Sequence, residues 1–117
     1  MTGDAMRAGA AALHGDALVW DDHSGFEPHP AADLDQLERW RAAGVDHLSV
    51  NVGYDVISWQ ATIRTLADFR RRIALRPDRY LLVETADDVL RAKARGLLGI
   101  TFDLEGMNAL NDDLAMV

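Results

Sequence analysis

Cysteine is absent from this 117-residue chain, which excludes disulfides, thiolate nucleophiles and cysteine-ligated zinc and leaves the redox compartment open. No stretch approaches the ~20 apolar residues of a membrane-spanning helix. The N-terminus has Asp4 and Asp16 around an alanine-rich segment, not the basic start and apolar centre of a signal peptide. A cytoplasmic location is therefore expected. Positive charge is scarce: twelve Lys and Arg against nineteen Asp and Glu give −7, which argues against a nucleic-acid or anionic-membrane partner. The one basic cluster, Arg70 to Arg72 with Arg76 and Arg79, falls in a helical pattern and reads as a solvated face. Glycine-rich phosphate loops are missing too, so nucleotide binding has no support.

What is present suits a globular domain, or part of a larger one, with an apolar fraction of 49%. Residues 1–15 read as an N-terminal extension or short helix, and residues 16–117 as the folded unit. Apolar runs at 17–20, 45–52, 80–83 and 97–104 predict four strands. Between them, helical spacing follows three starts: Asp33 with Gln36, Ser58, and Thr85 with Asp88, each with the side chains of an N-cap. Gly44 and Gly96 stand where helices end, and Pro77 stops the long middle helix. Glu27-Pro-His-Pro30 is a loop, because two prolines remove ladder donors. Strands that alternate with helices and are apolar throughout imply parallel βαβ units covered on both faces. The expected fold is α/β, either the first half of a (β/α)8 TIM-type barrel or an open doubly wound sheet.

In both architectures chemistry gathers at the C-terminal ends of strands. That rule selects Asp21 and His23, then Asn51, Tyr54 and Asp55, then Glu84 and Thr85, then Asp103 and Glu105. Strand alternation places Asp21, His23 and Gly25 on one face, and Asp103 and Glu105 on one face. Carboxylates and an imidazole on one rim suit a divalent cation such as zinc or manganese. Several neighbours have plainer readings. Asp22, Glu84 and Asp55 read as helix caps, Thr85 as an N-cap, and His14, His29 and His47 as surface or packing residues. Gly53 and Gly99 read as turn or packing positions.

At these strand ends the chain resembles the membrane (renal) dipeptidase family, metal-dependent peptidases with a (β/α)8 barrel and a two-zinc site. The family's Asp-Gly-His-x-Asp segment is matched by Asp21-Asp-His-Ser-Gly25. Its Ile-Glu-Gly-Gly-type segment is matched by Asp103-Leu-Glu-Gly-Met-Asn-Ala-Leu110. Arg41 to Val45, Arg76 to Tyr80 and Thr85 to Asp88 are also similar to family segments, and the resemblance runs from Leu18 onward. It implies His23 as a zinc ligand, Glu105 as the catalytic carboxylate bridging both metals, and Asp21 as a supporting or supplementary ligand, with one or two divalent ions in the complete protein. It also implies a dipeptide or similar small amide as substrate, cleaved by metal-activated water.

Two departures accompany the resemblance. Gly25 stands where the family has its second ligand, and Asn108 stands near where members often carry a histidine. The family's two further histidine ligands and remaining strands correspond to nothing before Val117, so the chain is expected to be an N-terminal portion, inactive alone. Such a half barrel would expose two strand edges and an apolar inner face, to be covered by a missing C-terminal half or by a second copy. Two rival readings are a non-catalytic relative that binds a metal or small ligand, which Gly25 suggests, and a Mg-binding flavodoxin-like domain. The second requires a fifth strand that the sequence does not offer.

Overall fold

A computed structural model describes residues 2–117. Helix α1 spans Gly3–Asp16 and has no buried residue. Strand β1 is Trp20–Ser24, followed by a 3-10 turn at Leu34–Leu37 and the short helix α2, Glu38–Ala42. Strand β2 is His47–Asn51, helix α3 Trp59–Ala74, strand β3 Tyr80–Leu82, helix α4 Ala86–Ala94 and strand β4 Leu98–Asp103. Two 3-10 turns, Asn108–Leu110 and Leu114–Met116, follow.

All strand pairs are parallel, as the apolar runs and crossover lengths require. The order is β1-β2-β4-β3, so β4 lies beside β2 and β3 takes the outer flank. A sheet built in chain order would place β3 beside β2.

The caps behave as their side chains dictate. Ser58 accepts from Ala61 N–H at the start of α3, and Thr85 and Asp88 form a reciprocal capping box on α4. Asp33 accepts from Asp35 N–H and opens the 3-10 turn, leaving α2 only five residues before Gly44 ends it at φ +81°.

Leu48, Val50 and Val52, with Leu98 and Ile100, bury one face of the sheet against Phe69 and Ile73 of α3 and Leu34 and Leu37 of the turn. Gly99 points the other way. A Cβ there would lie 3.0 Å from Val83 and 3.5 Å from Ala92, so α4 covers the flank of the second face. The rest of that second face is not the apolar surface expected of a half barrel. Alternation from the core residues gives it His47, Ser49, Asn51, Thr101 and Asp103, with His47 bonded to Thr101 at 3.1 Å and the Trp20 ring tilted against His47, their centroids 4.1 Å apart.

Strand β1 also departs from expectation. It begins at Trp20 rather than Ala17, so Asp21 and His23 lie within it, not beyond its end. Its register shifts between Asp21, opposite Leu48, and Ser24, opposite Val50. Three residue steps on β1 therefore match two on β2, an irregularity of the bulge type that breaks strict alternation.

Candidate functional site

The irregularity in β1 decides which side chains meet. Asp21 pairs with Leu48, a residue of the helix-covered face, and its Oδ2 accepts from Trp40 Nε1 of α2 at 3.2 Å. Its Oδ1 accepts from His23 N–H at 3.2 Å. Asp21 therefore supports the strand and the α2 packing, and its carboxylate does not join the His23 ring. The expected common face is lost because the extra residue rotates His23 relative to Asp21.

The imidazole of His23 crosses instead to β4. Its Nδ1 lies 2.8 Å from Asp103 Oδ1, and its Nε2 lies 3.6 Å from Glu105 Oε2. The expected common face of Asp103 and Glu105 is thus realised, with both acids reaching one ring. Asn51 on β2, level with Asp103 in the ladder, donates from Nδ2 to Asp103 Oδ1 at 3.1 Å and to Gly53 O at 3.2 Å. Gly53 O also accepts from Glu105 N–H at 2.9 Å. One chain of contacts thus links β1, β2 and β4: His23, Asp103, Asn51, Gly53 and Glu105. Gly53 cannot carry a side chain, because a Cβ would collide with Thr62 of α3.

Hydrogen bonding to Asp103, then the charge of Asp103 and of Glu105, raise the His23 pKa above the usual imidazole value. The His23 side chain is 51% exposed and that of Glu105 66%, so their pairing in water contributes little to stability. Asp103 is different. Its Oδ2 is buried without a hydrogen-bond partner, an arrangement that costs free energy wherever it is not used.

The 3.6 Å gap between His23 Nε2 and Glu105 Oε2 is too long for a hydrogen bond. It matches two ligands of one cation: bonds of about 2.0–2.1 Å at a tetrahedral to trigonal angle separate the donors by roughly 3.3–3.6 Å. A carboxylate on the far ring nitrogen, as Asp103 provides, is the usual way a ligating histidine is oriented. Among the described residues no group of three or more His, Cys, Asp or Glu is arranged to hold an ion. The pair fits part of a cation site.

Other candidates fall elsewhere. Tyr54 donates to Glu27 at 2.8 Å, and that bond leads the causes raising its pKa, with Glu105 a weaker contributor. Asp55 does not cap α3, which Ser58 does; its Oδ1 accepts from Met107 N–H at 3.0 Å. Glu84 faces Arg70 at 3.7 Å, and the cap beside it belongs to Thr85 and Asp88. His47 is buried in packing, as expected. Gly25 sits at φ +145°, where a Cβ would find ordinary space, 3.6 Å from Asn51 N, but a conformation side chains rarely adopt.

No family model matches the chain, and no curated protein matches it. Among solved structures it is similar to an amidohydrolase from Pseudomonas aeruginosa, with a TM-score of 0.74 and 22% identity. The likeness covers 90% of this chain and 31% of that one, so the chain spans under a third of its relative's length. Among the described residues no helix is long and apolar enough to cross a membrane. The likeness establishes the fold alone: parallel α/β units forming part of a barrel.

Proposed function

We propose that the chain is the N-terminal part of a metal-dependent amide hydrolase of the dipeptidase kind. The observation that carries this reading is the single imidazole of His23, held by Asp103 on one nitrogen and facing Glu105 across a ligand-sized gap on the other. His23 and Glu105 would hold a divalent cation, zinc by the dipeptidase resemblance. When bound, such an ion polarises an amide carbonyl and activates water near neutral pH. Asp103 keeps the ring turned toward Glu105, and Asn51 keeps Asp103 in place. Asp21, offered by the sequence as a further ligand, has the separate role of bonding Trp40.

Metal analysis by mass spectrometry tests this. Zinc retained by the chain should fall in both His23→Ala and Glu105→Gln, and equal zinc content in the double variant would refute the site. Two ligands leave a dinuclear centre unfinished, so the 117-residue chain alone should hydrolyse no dipeptide; robust turnover would contradict that expectation.

A non-catalytic, ligand-binding relative is the second reading, and the backbone at Gly25 favours it. At φ +145° this position is committed to glycine, so Gly25→Asp should strain the loop rather than simply restore a ligand. Gain of a second zinc with activity in Gly25→Asp, within a full-length parent protein, would instead identify a lapsed enzyme.

A further inference from the structure

Glu105 lies beyond the last ladder pair of β4, and its side chain is largely exposed, so packing does not hold it in front of His23. The backbone that carries it is bonded to the loop that follows β2. Glu105 N–H donates to Gly53 O at 2.9 Å, and Met107 N–H donates to Asp55 Oδ1 at 3.0 Å. Between them Gly106 sits at φ +81°, and a Cβ added to it would fall on the Asp55 carboxylate. Three consecutive residues are therefore keyed to the loop 53–55, and Asp55 supplies a side-chain hydrogen bond to them.

We propose that Asp55 is a positioning residue: its carboxylate occupies the space left by Gly106, pins the Met107 amide, and so holds Glu105 opposite His23. The inference rests on the reading of Glu105 as a cation ligand. It explains two residues that the dipeptide chemistry itself does not require. A carboxylate at 55 is needed as an acceptor, and a glycine at 106 is needed to admit it.

Cobalt(II) binding and amide hydrogen exchange, measured on the whole chain, test the proposal. Asp55→Ala should speed exchange at Met107 and weaken Co²⁺ binding by about 10–100-fold, the usual effect of losing a group that orients a ligand. Asp55→Asn keeps an acceptor oxygen and should restore both properties to near wild type. Should Asp55→Ala not fold, Gly106→Ala displaces the same carboxylate and should have the same two effects. Unchanged Met107 exchange in Asp55→Ala would overturn the tether. Faster exchange with undiminished Co²⁺ affinity, while Glu105→Gln loses it, would overturn the positioning role. Glu105→Gln binding Co²⁺ as well as wild type would remove the premise itself, and that variant separates the two failures.

Discussion

His47 shows how one residue on the sheet couples to pH. Its ring is buried under Trp20, bonded to Thr101 through Nε2, while Nδ1 is buried without a partner. Burial lowers its pKa from 6.5, and the field of Asp22 opposes this only in part. Between the folded value and 6.5 the unfolded chain binds the extra proton, so stability is lost as pH falls through that window. His23 acts in the opposite sense: with its pKa raised, it adds stability that is complete below 6.5 and lost as pH rises through the folded value. Urea midpoints followed from about pH 7 to 5 should therefore fall less in His47→Gln than in wild type. Identical slopes would contradict the assignment.

The same scale shows what the sequence makes legible. His23 and Glu105 stand out because each ends an apolar run with a polar side chain. Strict alternation does not place Asp21, because it cannot reveal an extra residue in one strand. The roles of Asn51 and Asp55 depend on which strands pair and which loops touch, and spacing along the chain carries no signal of that.

At the scale of elements, local chemistry is the better guide. The four strands and three principal helices follow their apolar periods and caps, with boundaries displaced by one to a few residues; β1 begins only at Trp20, although Val19 O still accepts from Asp46 and His47 N–H at its entrance. Cap side chains make their contribution measurable. Thr85→Ala should lower stability by about 1 kcal/mol, since the box on α4 loses its hydroxyl acceptor. Phe69 is fully buried between α3 and the sheet, beside Phe26, and Phe69→Ala should cost about 3–5 kcal/mol. Chemical denaturation checks both, and reversal of their order would mean that α3 is not the principal cover of the sheet.

At the scale of the molecule, the parallel α/β class was legible and the strand order was not. Apolar runs identify strands, but neighbours are chosen by crossover packing, which the periodicity of single elements does not encode. The outer strands β1 and β3 present open edges. On β1 that edge carries Asp21 and Asp22, and like charges facing each other oppose edge-to-edge pairing of two copies. Self-association should accordingly grow when salt screens them, and should grow further in Asp22→Thr. Sedimentation equilibrium across a salt series measures this, and salt-independent association would count against it.

Because β4 fills the gap between β2 and β3, an inner position of the sheet is taken by the last of these four strands to be synthesised. His47 meets Gly99 only after the whole α3–β3–α4 excursion has been made. Without β4 the sheet holds only the β1–β2 pair, and β3 has no strand beside it. A chain cut just before Leu97 would lose the keystone rather than an ornament, and a ribosome pausing there would hold an arch that cannot yet close.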